Sequence, residues 1–206
     1  MKKISVLIAD DHAVVRVGIA TLVNAQKDMS VVGQAKNGIE TVRLAGDLHP
    51  DVIVMDLAMP RKDGVAATRE ILAQSPAVGI LAITSFATPD VIAQALDAGA
   101  SGALLKTAES SELLKAIRAV AKGERVISSE VQRLLKSNPP LPKLSSRQTE
   151  ILRFVTNGLT SRQIAERLGI QRDSVDKYVN ALLEKIGASS RSEAVGIAIR
   201  RQLIKL

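Results

Sequence analysis

The chain has 206 residues, with 28 Lys+Arg against 21 Asp+Glu, and no cysteine, which excludes disulfide scaffolds, thiol catalysis and Cys-ligated zinc. Its only aromatic residues are Phe86, Phe154 and Tyr178, which argues against a surface that binds single-stranded nucleic acid by stacking bases on several rings. The formal charge of +7 is unevenly placed: residues 1–128 hold 14 basic and 14 acidic side chains and residues 129–206 hold 14 and 7, so the excess lies in the C-terminal part and points to a polyanion partner there.

The start, MKKISVLIADD, has basic residues and a short apolar run that ends in two aspartates, too short and too acidic for a secretory signal. No apolar run approaches the ~18 residues of a membrane span, so a cytoplasmic protein is expected. Short β-branched apolar runs follow at 4–9, 30–35, 51–55 and 78–83, with a weaker one at 102–105. Helical patterns lie between them at about 13–25, 38–48, 64–74, 89–98 and 110–122. Continuous apolar strands alternating with amphipathic helices predict an α/β fold, a five-stranded doubly wound parallel sheet covered on both faces. Ser110 with Glu112 is the expected cap of the fifth helix, and Gly123 its stop. SSEVQRLLK then reads as a short helix, and SNPPLPK is the one linker-like stretch. Residues 145–206 show no strand pattern and read as four helices at about 146–157, 161–168, 172–186 and 190–203. The expected organisation is therefore a first domain over 1–128, a linker over 129–143 and a smaller all-α domain over 144–206.

Asp10 and Asp11 follow the first strand directly and Asp56 ends the third. In an open parallel sheet, ligands bind beyond the carboxyl ends of the strands where the strand order reverses. Three carboxylates converging there repel one another and need a cation; oxygen ligands favour Mg2+. Thr84 and Lys106, at the ends of the fourth and fifth strands, add a hydroxyl and an ammonium to the same rim. A single Asp at a strand end is commonly a turn former or helix cap. All five groups at the ends of the right strands suit a phosphoryl group, whose charge must be met on several oxygens. A Mg2+-dependent phosphatase would need a general acid or base beside the nucleophile, and none is evident. His12 and His49, far apart in sequence, read as ordinary partly exposed residues.

ADDH at 9–12, MDLAMP at 55–60 with Gly64, TS at 84–85 and AGASGALLK at 98–106 resemble the receiver domain of bacterial two-component response regulators over about residues 3–125. The resemblance implies a flavodoxin-like sheet of order 2-1-3-4-5. It implies that Asp56 accepts a phosphoryl group from a sensor kinase histidine or a small donor such as acetyl phosphate. It also implies Mg2+ held by Asp11, Asp56 and the backbone carbonyl of Ala58, with Asp10 acting partly through water, and phosphoryl contacts from Lys106 and Thr84. Two positions depart from the pattern. Ala103 stands where receivers usually carry a Tyr or Phe that swings inward with the threonine; Phe86 is a candidate substitute. This departure supports an alternative, a receiver-like regulator that works without phosphorylation. Arg61 stands where many relatives have Gly.

Residues 160–187, TSRQIAERLGIQRDSVDKYVNALLEKIG, read as two short helices joined by a turn at Gly169. Val175, Val179, Leu182 and Ile186 form one apolar stripe, opposite Asp173, Asp176, Lys177, Asn180 and Glu184. This is a helix-turn-helix pattern, whose second helix enters the major groove. With LSSRQTEIL at 144–152 and SRSEAV at 190–195, it is similar to the LuxR-type DNA-binding domain. A receiver followed by such a domain resembles NarL/FixJ-type response regulators, which implies a transcription factor that binds duplex DNA, as a homodimer when active. Carried over by position, Asp176, Lys177 and Asn180 would read bases, and Thr160, Ser161, Arg162, Arg172 and Arg191 would lie near phosphates. Relatives usually have Lys at the place of Asp176, which needs a cytosine or a neighbour such as Arg172. Tyr178 is expected to pack inside the domain, and Gln171 to cap the recognition helix weakly.

Overall fold

A computed structural model describes residues 3–85, 88–201 and 203–204. Phe86 lies outside the described residues. The chain divides into two compact units, Met1–Asn138 and Pro139–Leu206.

The first unit alternates strands and helices: β1 (Ile4–Ala9), α1 (Ala13–Asn24), β2 (Met29–Ala35), α2 (Gly38–Leu48), β3 (Val52–Asp56), α3 (Gly64–Gln74), β4 (Gly79–Thr84), α4 (Pro89–Asp97), β5 (Gly102–Leu105), α5 (Ser110–Ala121), β6 (Val126–Ile127) and α6 (Ser129–Ser137). All strand pairs are parallel and the order is β2-β1-β3-β4-β5-β6. Successive strand residues face opposite sides. Leu7, Ile53 and Ile80 enter one core layer; Val6, Ile8, Val54 and Leu81 enter the other. Both layers are apolar and buried, which is why these strands read as unbroken apolar runs rather than alternating ones. Each such side chain contributes about 1.5–3 kcal/mol by burial. The order reverses between β1 and β3, and that opens a crevice at their carboxyl ends.

The sheet carries six strands, one more than the five expected. β6 pairs Val126 with Gly102 and Ile127 with Ala103; two residues carry no readable period. The next helix, α6, belongs to this unit: Val131 is fully buried in the first core layer, with Leu134 and Leu135 packed against it. Its start is pinned twice. Ser128 N–H donates to the Ala103 carbonyl at 3.1 Å, and Ser128 Oγ accepts from Val131 N–H at 3.2 Å. The compact unit thus includes residues 129–137, grouped with the linker in the sequence reading. The cap of α5 also differs. Glu109 is the N-cap, with no side-chain bond, and Ser110 is already helical. Gly123 takes φ +80 just beyond this helix, as a stop requires.

The second unit holds four helices, α7 (Ser146–Thr156), α8 (Ser161–Leu168), α9 (Arg172–Ile186) and α10 (Arg191–Arg200). Ser145 with Gln148 and Thr160 with Gln163 form capping boxes that satisfy the first turns of α7 and α8. Val175, Val179, Leu182 and Ile186 are buried, so the stripe on α9 faces the domain core. Gly169, at φ +63, makes the tight turn between α8 and α9.

Candidate phosphoryl-acceptor site and nucleic-acid interface

The topology delivers the acidic residues to one place. Asp10 and Asp11 leave β1, and Asp56 ends the neighbouring β3. Ligand atoms of Asp10, Asp11, His12 and Asp56 lie within 4.8 Å of one another. Asp10, Asp56 and Thr84 are buried, while Asp11 and His12 face solvent. Lys106, the residue after β5, reaches across: its Nζ lies 2.8 Å from Asp56 Oδ2 and 2.6 Å from Asp10 Oδ2. The Lys106–Asp10 contact is an ion pair, and Asp10 Oδ2 has no other polar partner among the described residues. The backbone N–H of Ala58 donates to Asp56 Oδ1 at 3.2 Å, and that of His12 donates to Asp10 Oδ1 at 2.8 Å.

Burial pushes the Asp56 carboxyl above its usual 3.8, and the Asp10 charge adds to this; Lys106 and the Ala58 N–H pull the other way and do not cancel it. Burial works to lower Lys106, but its bonds to Asp10 and Asp56 outweigh burial and raise it above 10.5. The pocket is thus short of positive charge with one ammonium for three carboxylates. The converging all-oxygen donors Asp10, Asp11 and Asp56 fit a small hard dication.

The loop after β3 is tightly wound. Arg61 takes φ +65, a left-handed conformation that a non-glycine residue adopts at a cost. Gly64 is required: a Cβ there would lie 2.2 Å from the Asp56 carbonyl oxygen. Arg16, not anticipated, donates from Nη1 to the Asp10 carbonyl at 2.7 Å; six residues away on α1, it belongs to no local pattern. His12 Nδ1 lies 2.9 Å from Asp11 Oδ1, and His49 ends α2 in the left-handed conformation. Ala103 is 2% exposed, in the core layer that α6 covers. Among the described residues Asp10, Asp11, Thr84 and Lys106 all join Asp56 at the strand ends, and none of them favours a receiver that works without phosphorylation.

In the second unit Lys177 and Asn180 are exposed on α9, and Thr160, Arg162 and Arg172 are exposed at the starts of α8 and α9. Arg162 pairs with Glu166 at 3.2 Å. Asp176 meets Ser161, Arg172 and Arg191. Gln171 offers α9 no side-chain cap. Tyr178 is not interior: it is 42% exposed, and the Arg147 guanidinium carbon lies 5.7 Å from its ring centre. Tyr178 borders the apolar stripe of α9, three residues from Val175 and four from Leu182, and its ring is only partly covered there. Among the described residues no helix is long and apolar enough to cross a membrane.

The response regulator receiver domain family matches residues 6–118, and the LuxR family of bacterial regulatory proteins matches residues 142–198. The chain is 39% identical to the transcriptional regulatory protein LiaR of Bacillus subtilis, over 98% of this chain and 99% of that one. It is 35% identical to the response regulator VraR of Staphylococcus aureus, with coverage of 98% and 99%. Among solved structures, the response regulator ChrA of a heme-sensing two-component system matches with a TM-score of 0.59 and 34% identity, over 99% and 100% of the two chains. RcsB from Salmonella enterica serovar Typhimurium, bound to a promoter in the presence of the phosphomimetic BeF3-, matches with a TM-score of 0.70 and 25% identity, over 97% and 99%. The chain therefore belongs to the two-component response regulators that join a receiver domain to a LuxR-type DNA-binding domain, and it is a transcriptional regulator of that kind.

Proposed function

We propose that Asp56 is the phosphoryl acceptor that switches this regulator. The carrying observation is the buried Asp56 carboxylate flanked by Lys106 at 2.8 Å and by the acidic residues of the adjacent strand end. An Asp56 oxygen attacks the phosphorus; the P–N bond of a sensor kinase phosphohistidine, or the P–O bond of acetyl phosphate, breaks as the acyl phosphate forms. The electron pair of the broken bond leaves with imidazole or acetate. Lys106 meets the charge of the transferred group, and Thr84 donates to one of its oxygens. Asp10, Asp11, Asp56 and the Ala58 carbonyl are the groups that would hold Mg2+, which when bound supplies positive charge to the phosphoryl oxygens. The protein is no enzyme in the turnover sense; it catalyses at most its own phosphotransfer and dephosphorylation.

The output is duplex DNA bound by the second unit, with the regulator working in the cytoplasm. RcsB, a relative of the same architecture, is held on a promoter with a phosphomimetic present. Thr160, Ser161, Arg162, Arg172 and Arg191 lie on the phosphate side, and Lys177 and Asn180 meet base edges; phosphate contacts give register and base contacts give sequence choice. The phosphorylated form pairs as a homodimer over two half-sites about one helical turn apart. Incubation with acetyl phosphate and Mg2+, followed by intact-mass measurement, tests the acceptor. One added phosphoryl mass is expected on the wild type and none on Asp56→Asn. No addition to the wild type, or equal addition to both, would overturn the assignment.

A further inference from the structure

Asp176 is a carboxylate on a helix expected to meet a polyanion. Its surroundings account for it. Asp176 Oδ1 accepts the hydroxyl proton of Ser161 and lies 3.8 Å from Arg191 Nη2. Asp176 Oδ2 lies 3.5 Å from Arg172 Nε. Arg191 in turn donates to Ser161 Oγ and, at 3.4 Å, to the Leu159 carbonyl. Ser161, Arg172 and Arg191 are the first residues of α8, α9 and α10. The carboxylate therefore sits among side chains from the first residues of three helices, one hydroxyl and two guanidinium groups. A negative group is stabilised there independently of DNA.

The same contacts occupy what DNA would use. A hydroxyl has one proton, and that of Ser161 goes to Asp176. The two arginines expected at phosphates share one counter-ion. Both Asp176 oxygens are engaged within the domain, whereas a cytosine reader presents a carboxylate oxygen to the base N4.

We propose that Asp176 reads no base and is instead a positioning residue, the internal counter-ion of Arg172 and Arg191, which sets how much positive charge the DNA face offers. The three groups present one net positive charge in place of two, and affinity for every duplex is held down alike. Sequence ranking is left to Lys177 and Asn180. This rests on reading Arg172 and Arg191 as phosphate contacts.

The test uses the full chain, treated with acetyl phosphate and Mg2+, and a pool of duplexes of randomised sequence. Binding is titrated at several NaCl concentrations, and the bound pool is sequenced. Asp176→Asn, which keeps shape and acceptor oxygen, is expected to bind all duplexes more tightly with unchanged sequence ranking. Its log K against log[NaCl] should be steeper by about one, the increment for one further phosphate contact. Asp176→Ala should show the same slope, so the result does not hang on one variant's folding. The gain should vanish when Arg172 and Arg191 are both changed to Ala. A preference change confined to one base pair would overturn the proposal, as would unchanged affinity and slope. A gain that persists without the two arginines would overturn it too. If the Arg172→Ala, Arg191→Ala double variant keeps the wild-type slope, the phosphate reading beneath the proposal fails, whatever Asp176→Asn does.

Discussion

Asp56 and Arg61 sit within six residues of each other, and both carry a cost in the folded state. Burial raises the Asp56 carboxyl, so its contribution favours the fold below pH 3.8 and is lost as pH rises through the raised value. At neutral pH the ionised Asp56 works against the receiver until a cation joins it. Asp56→Asn is expected to raise the melting temperature of the cation-free receiver, and millimolar Mg2+ to raise that of the wild type far more than that of the variant. Differential scanning calorimetry with and without EDTA checks both. A variant that melts at or below the wild type, with equal Mg2+ shifts, would remove Asp56 from the cation site. Arg61 pays in backbone conformation, at φ +65. Arg61→Gly relieves left-handed strain of about 1–2 kcal/mol but frees the unfolded chain, leaving a net gain of roughly 0.5–1 kcal/mol. Urea denaturation should show a higher midpoint at constant slope; a lower midpoint would mean the Arg61 side chain holds the loop.

At the scale of elements, α6 is the least anticipated part of the receiver. Val131 is fully buried in the layer that also holds Ala103, and Ser128 ties the start of α6 to the Ala103 carbonyl. The small side chain of Ala103 thus lies beneath a helix instead of at an open face. Val131→Ala should cost about 1–3 kcal/mol of receiver stability, in the range of core truncations. A surface substitution on the same helix, Gln132→Ala, should cost under ~0.5 kcal/mol. Equal, negligible effects would show α6 to be undocked. Much of the fold was legible because its signals are local. Buried parallel strands appear as apolar runs, and the four C-terminal helices show their stripe and glycine ends. What was not legible depends on distance in sequence. β6 is two residues long, too short for a period. The docking of α6 needs β5 beside it. The cap of α5 turns on a one-residue difference between Glu109 and Ser110 that no spacing rule resolves. The site divides the same way. Asp10, Asp11, Asp56, Thr84 and Lys106 mark their own strand ends; for Asp176 the i,i+4 spacing shows Arg172, whereas Ser161 and Arg191 reach it only when α8 and α10 fold against α9.

For the whole molecule, charge is segregated: a nearly neutral receiver hides a carboxylate pocket, and most of the basic excess lies in the DNA-binding part. Activation should be visible as assembly. Acetyl phosphate with Mg2+ is expected to shift the wild type from monomer to dimer in light scattering and to strengthen its binding to duplexes with two half-sites. Asp56→Asn should do neither. Dimer formation that ignores Asp56 would favour the regulator that works without phosphorylation.

The scarcity of aromatic residues has a practical consequence. The chain has no tryptophan and one tyrosine, Tyr178. That ring is half-exposed on α9, next to Lys177, with Arg147 over its face. Native ultraviolet emission from this protein is therefore a single-site optical probe on the recognition helix, with no dye and no engineered label. The receiver is spectroscopically dark in that channel. A change in tyrosine emission on phosphorylation at Asp56, with no DNA present, would record the message as it arrives at the output helix.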